Sequence, residues 1–185
     1  MNNFPVNIDG KEYWISRSTA VVGLVFTNDE GLKILAGKRG KACPDEVGKW
    51  CLPCGYVDYD ETVKDACIRE IKEETNLIVD KDSLFFLNYN DDLEGKQNIT
   101  FRFFSYGANY SKQTITGKFA DKDEVDEVKW IRLDEIGNYD WAFNHKNLIA
   151  DIVLNKLCSY CLVPTNTITY LIHECNTRVT SVYWI

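Results

Sequence analysis

Glu70, Glu73 and Glu74 stand at i, i+3 and i+4 in the stretch Gly55 to Leu77, which carries the local signals of a helix. Thr62-Val63-Lys64-Asp65 fits a capping box, with the threonine hydroxyl accepting a backbone N–H and Asp65 reaching back, so the helix is expected to begin near Val63. At roughly 100° per residue, Val63, Ala66 and Cys67 form one apolar stripe, while Lys64, Asp65 and Lys72 lie across from it. Glu70 and Glu74 fall inside that stripe and Glu73 at its edge, whereas an ordinary amphipathic helix keeps its acids on the opposite side. The fold must therefore dock this helix with carboxylates turned inward, where an unpaired charge is costly. A bound divalent cation is the economical partner. Carboxylate oxygens are hard ligands suited to Mg²⁺ or Mn²⁺, and Mg²⁺ commonly joins a few carboxylates to substrate phosphates.

The same stretch resembles the Nudix box, G-x5-E-x7-R-E-U-x-E-E-x-G-U with U apolar. Gly55, Glu61, Arg69, Glu70, Ile71, Glu73, Glu74 and Leu77 all fall in place, and Asn76 stands where the family has glycine. That position follows the helix end and needs a positive φ, which Asn tolerates better than other non-glycine residues. Just upstream, Trp50-Cys51-Leu52-Pro53-Cys54-Gly55 resembles the family's W-x-x-P-G-G, with Cys54 for the first glycine.

The resemblance implies an α/β fold, an α/β/α sandwich around a mixed β-sheet. It also implies metal-dependent hydrolysis of a diphosphate linkage in a nucleoside diphosphate joined to another moiety. ADP-ribose or a nucleotide sugar is favoured, then nucleoside triphosphates; the aromatic motif of the NADH-cleaving branch is not evident. Glu70, Glu73 and Glu74 would hold the Mg²⁺ or Mn²⁺, with Glu61 supporting the loop or making an outer-shell metal contact. Arg69, four residues before Glu73, can hold that carboxylate in place. Gly55 would lie against substrate, and Arg39, just after an early strand, would meet its phosphate. An extra carboxylate before the strand carrying Trp130, Glu124 first and Glu127 second, would bind metal or serve as base; Glu74 is the other choice for the base. A domain that binds a nucleotide derivative without cleaving it is the alternative.

Composition narrows the partners. With a net charge of −7, the chain repels nucleic acid polymers and anionic membranes, leaving a small phosphorylated molecule as the expected ligand. No apolar run is long enough to span a membrane, and the start lacks a basic and apolar leader, so a cytoplasmic location is expected. Cys51-x-x-Cys54 and Cys158-x-x-Cys161 each have zinc-knuckle spacing, which would make a zinc-stapled interaction module. Cys51 and Cys54 lie on the run into Gly55, however, and free thiols are the better expectation.

Along the chain, residues 1–16 form an arm with a hairpin turn at Asp9-Gly10, 17–157 one domain, and 158–185 an extension of unassigned role. Thr19 to Phe26 is almost continuously apolar, as a strand buried on both faces should be. A second strand follows from Leu32, and a short one from Trp50 to Leu52. Leu77 to Tyr89 reads as a strand interrupted at Asp80 to Ser83. In the strand Ile99 to Ala108, Phe101 and Phe103 share one face and Phe104 and Tyr106 the other. Gly107 to Lys122 is a long polar loop, after which a strand enters at Val125. Asn144 is expected to cap a helix bearing Leu148, Ile149, Ile152, Val153 and Leu157, with His145 in its first turn, a surface residue by preference and a group approaching the substrate cleft as the alternative. The oligomeric state is left open, although the tail could act as an exchange element in a homodimer.

Overall fold

A computed structural model describes residues 4–91, 98–117 and 123–157. The hairpin β1 (Phe4–Ile8) and β2 (Lys11–Ile15) forms a separate two-stranded sheet. Its two-residue turn places Asp9 at φ 51° and Gly10 at φ 81°, the double positive φ that matches the twist of tightly joined strands.

The main sheet is built on β3 (Thr19–Asn28), whose residues Val21 to Thr27 are all buried. On one side β3 runs parallel to β8 (Ile99–Tyr106) from Thr19 opposite Ile99 to Phe26 opposite Tyr106, and β7 (Leu84–Asn90) pairs outside β8. On its other side β3 is shared. Its end pairs with β4 (Leu32–Arg39) over only Phe26 to Asn28, and its start pairs with β6 (Cys54–Tyr56). Beyond Ile34 the strands β3 and β4 diverge. β4 is then accompanied by β5 (Trp50–Cys51) and, along its outer edge, by β9 (Val125–Arg132). A wedge therefore opens in the sheet between β3 and β4, with the short strands β5 and β6 on its two sides.

Helices cover both faces, giving the expected α/β/α sandwich. α1 (Val63–Thr75) buries Ala66, Cys67 and Ile71 against Val21, Val25, Leu35 and Phe103. Its approach requires Gly23, where a Cβ would lie 2.8 Å from Ile71 Cδ1. α2 (His145–Ile152), continued by a wider turn over Val153–Leu157, buries Ile149, Ile152 and Val153 against Val22, Leu24, Ile34 and Ile131. Each such aliphatic side chain removed from water contributes about 1.5–3 kcal/mol. Phe101 and Phe103 pack on the α1 side and Phe104 and Tyr106 on the α2 side, as the alternation requires.

Three local readings are corrected. The capping threonine does accept the Asp65 N–H at 3.2 Å, but the Asp65 carboxylate accepts from the Thr62 hydroxyl at 2.7 Å rather than reaching a backbone donor. Leu77 to Val79 is not strand, since the Gln113 side chain satisfies both the N–H and the C=O of Ile78, while the expected interruption at Asp80 to Ser83 is a capped 3-10 turn before β7. Asn144 makes no side-chain cap; it sits in the left-handed region at φ 61°, directly after Phe143 at φ 53°. No helix among the described residues is long and apolar enough to cross a membrane.

Candidate active site

α1 ends where its sequence departs from glycine. Asn76 adopts φ 61°, ψ 4°, its N–H returns to Lys72 O at 2.8 Å, and its side-chain amide donates to Thr114 O at 3.1 Å. The αL cap is thus supplied by asparagine and tied to the following loop.

Within the helix, Arg69 gathers the acids. Its Nε and Nη2 donate to the two oxygens of Glu61 at 3.1 and 2.7 Å, and its Nη1 donates to Glu70 at 2.8 Å and Glu73 at 3.0 Å. Nη2 also donates to Tyr56 O at 2.9 Å, fastening the helix to β6. Glu61 further accepts the Asp58 N–H at 2.7 Å. The Arg69 guanidinium holds the Glu61 carboxyl below its usual range. With both oxygens engaged by protein donors, Glu61 supports the loop before the helix.

Glu70 and Glu74 behave oppositely. Burial pushes Glu70 up despite Arg69. Burial pushes Glu74 well up, with Cys51 and Glu70 adding repulsion, and a 3.2 Å bond from the Cys54 N–H is its partial compensation. These are carboxylates for which ionisation is costly until a cation arrives. Among the described residues no three Asp, Glu, His or Cys side chains converge tightly enough to hold an ion alone. A hard cation that keeps water and phosphate oxygens in its shell fits such a site; one needing a full protein cage does not. Among the described residues, Cys43, Cys51, Cys54 and Cys67 form no disulfide. Cys158 and Cys161 lie outside them, as does the tail.

Both glutamates open into a cleft of about 1050 Å³ at the wedge between β3 and β4. Gly55, Arg39 and Glu124 line the same cleft, so five of the sequence-derived site residues meet there. Glu73, Glu61 and Arg69 do not line it: Glu73 is half exposed, beside Arg69. Glu127 faces away, paired with Lys129 at 2.7 Å. Arg39 is 11% exposed, donating to Asp45 Oδ1 at 2.9 Å and to Asp45 O at 3.1 Å, with its guanidinium 4.6 Å from the centre of the Phe143 ring.

Arg102, His145 and Phe143 also line the cleft. Arg102 sits opposite Val22, which in turn sits opposite Cys54, so the three share the α2 face of the sheet. The sequence carries a signal for it: alternation puts Arg102 on the face of Phe104 and Tyr106, an unusual place for an arginine. His145, read as a surface residue, is buried, and its Nδ1 accepts the Leu52 N–H at 3.0 Å. Burial, and then the charges of Arg102 and Arg39, lower it to about 3, so it is neutral with its proton on Nε2. Phe143, in a backbone conformation bulky residues rarely adopt, has no sequence signal.

Known proteins are similar to this chain in sequence and fold. The NUDIX domain family model matches residues 17–152. The chain is 29% identical over 163 residues to an ADP-ribose pyrophosphatase of Methanocaldococcus jannaschii, covering 80% of this chain and 89% of that one. It is 28% identical over 134 residues to an RNA pyrophosphohydrolase of Bartonella tribocorum, covering 62% of this chain and 76% of that one. Among solved structures, the NUDIX domain of Shewanella oneidensis NrtR, in complex with ADP ribose, superposes with a TM-score of 0.61 at 24% identity over 73% of this chain and 85% of that one. With its box on α1, its acids at the wedge of the sheet and a family match across most of its length, the chain belongs to the NUDIX family, as a pyrophosphohydrolase of the Nudix type.

Proposed function

We propose that the chain hydrolyses the diphosphate linkage of ADP-ribose, or of a closely related nucleotide sugar, with Mg²⁺ or Mn²⁺. The observation that carries this reading is that Glu70 and Glu74, both destabilised as anions, share one cleft with the half-buried cations Arg39 and Arg102. An acid cluster alone would repel a diphosphate and a basic cluster alone would need no metal; together they fit a metal diphosphate. The relative from Methanocaldococcus jannaschii supports ADP-ribose within that class.

Glu70 and Glu74 would hold the ion, with Glu73 beside them on the same helical turn. Bound there, the ion would supply charge to offset that of the phosphate oxygens and would acidify a water. Arg69 fixes Glu70 and Glu73 through one guanidinium nitrogen, so the acids keep their spacing. Glu124, at the cleft rim, takes the proton of the attacking water, and Arg39 meets the phosphate charge by leaving part of its bonding to Asp45. Gly55 gives Glu70 room to lie flat against β6.

The test is release of AMP and ribose 5-phosphate from ADP-ribose, run beside nucleotide sugars, nucleoside triphosphates and 5′-triphosphorylated RNA, each with Mg²⁺, Mn²⁺ or chelator. Metal-dependent AMP release from ADP-ribose at the highest kcat/KM of the panel is the expected result. Turnover of the RNA end instead would reassign the substrate to that of the second relative. Binding of ADP-ribose with no product from any compound would make the chain a sensor.

A further inference from the structure

Cys51 and Cys54 stand on opposite sides of the wedge that forms the cleft. Cys51 pairs in register with Gly37 of β4, and Cys54 with Val22 of β3. Only Leu52 and Pro53 join them, and Pro53 O is fixed by the Gly23 N–H at 2.9 Å. The Cys51 and Cys54 side chains lie close enough to influence each other, and Cys51 also feels the Arg39 guanidinium. Both residues line the cleft, so a small oxidant that enters it meets both. Next to this pair is the ligand-bearing end of α1, since the Cys54 N–H holds Glu74 at 3.2 Å.

A polar chain thus runs from Arg39 through Cys51 and Cys54 to Glu74. Ordinary packing does not call for it. A pair of small apolar residues would fill the same space without placing two adjacent thiols against an arginine. Cys67 shows the contrast: it is buried under α1, outside the cleft, and burial pushes its thiol up to about 12.

We propose that Cys51 and Cys54 are an oxidation site, a dithiol that a hydroperoxide converts to a disulfide across the mouth of the wedge, switching the cleft from an active to an inactive form. In the first step the Cys51 sulfur attacks one oxygen of hydrogen peroxide and the O–O bond breaks. Cys51 becomes a sulfenic acid, and its thiol proton leaves with the departing hydroxide as water. In the second step the Cys54 sulfur attacks the Cys51 sulfur, the S–S bond forms and the S–O bond breaks. The Cys54 proton and the departing hydroxide make a second water. Two thiols have given two electrons to one peroxide. A reducing dithiol reverses the change by exchange.

The disulfide replaces a non-bonded approach of two thiols with a covalent bond, drawing β5 and β6 together. It takes the Cys51 sulfur from Arg39 and shifts the Cys54 N–H that holds Glu74. A displacement of a fraction of an ångström at such a group is enough to cost about tenfold or more in rate.

The experiment uses the full chain. The reduced protein is treated with hydrogen peroxide, quenched, alkylated and digested with trypsin, and turnover of ADP-ribose is followed on the same samples. Expected is a peptide spanning residues 50–64 that is about 2 Da lighter, with neither cysteine alkylated, while Cys67 remains alkylatable. Turnover should fall in step by about tenfold or more and return with dithiothreitol. In Cys51→Ser and in Cys54→Ser the light peptide should be absent, and whatever turnover each retains should no longer respond to the same peroxide dose. Full alkylation of both cysteines after peroxide, a bridge from either to another cysteine, or an equal loss in Cys51→Ser would overturn the proposal, as would a bridge that leaves turnover unchanged. If the reduced protein turns over no substrate, the assigned activity fails, and the peptide mass still decides the oxidation site.

Discussion

Gly55 lies so close to Glu70 that a Cβ at residue 55 would sit 2.1 Å from Glu70 Oε1. The glycine of the box is therefore needed for space, since its backbone φ is not in the left-handed region. Gly55→Ala should push the Glu70 carboxylate off Arg69 and out of its place in the cleft. A loss of about 100-fold in kcat/KM is expected, with an unchanged far-ultraviolet circular dichroism spectrum. Activity within a few fold of wild type would show that the close approach is not functional.

Burial makes the ionised Glu74 costly, so the proposed metal role has it stabilise the fold only when a cation is present. In metal-free protein, Glu74→Gln removes a charge whose burial is costly, so the variant should melt at a higher temperature than wild type while losing most turnover. Added Mg²⁺ or Mn²⁺ should raise the wild-type melting temperature and leave that of the variant nearly unmoved. Equal metal-induced shifts in both proteins would remove Glu74 from the metal site.

The two acids before Trp130 separate by geometry. Glu124 lines the cleft, whereas Glu127 is exposed and paired with Lys129. Glu124→Gln should lower kcat by about 100-fold with little change in KM, as loss of a proton acceptor does. Glu127→Gln should change stability by no more than about 0.5 kcal/mol and leave kcat intact. The reverse ranking would place the base on the outer edge of β9.

His145 gives the fold an acid limit. Its value of about 3 in the fold lies below the ordinary 6.5, because burial disfavours the charged form. Between those limits the unfolded chain binds the extra proton. The contribution is therefore fully present above pH 6.5 and is lost as pH falls from there toward about 3, by up to about 1.4 kcal/mol per pH unit. His145→Asn keeps an acceptor near Nδ1 for the Leu52 N–H while removing the titration. Denaturant melts at pH 7 and 5.5 should show a smaller acid loss for the variant. An identical loss would assign the acid sensitivity elsewhere.

Asn76 carries both a backbone and a side-chain duty. Asn76→Ala should cost about 1–2 kcal/mol from the left-handed conformation alone, plus the bond to Thr114. Asn76→Gly relieves the backbone but still loses that bond, so its melting temperature should fall between those of wild type and the alanine variant.

The helix with inward acids, the doubly buried central strand and the two faces of β8 could be read from the chain because each rests on a period of side chains along one element. The cleft itself could not. Its shape comes from the divergence of β3 from β4, a relation between strands that no local pattern records. His145 shows the difference: its position in the first turn of α2 was legible, but its burial follows from Leu52, a residue 93 positions away, needing an acceptor. Gln113 likewise takes over the hydrogen bonds of Ile78 from a distant loop and turns an expected strand into coil.

The parallel pairing of β3 with β8 also sets an order of assembly. Thr19 finds Ile99 only after everything between them has left the ribosome. The hairpin β3–β4 and α1 can associate early, but one edge of the most apolar strand stays unpaired until β8 arrives. High contact order of this kind slows folding and prolongs exposure of a sticky edge. The strand that anchors the wedge of the candidate site is therefore also the segment most exposed to misassembly while the chain is being made.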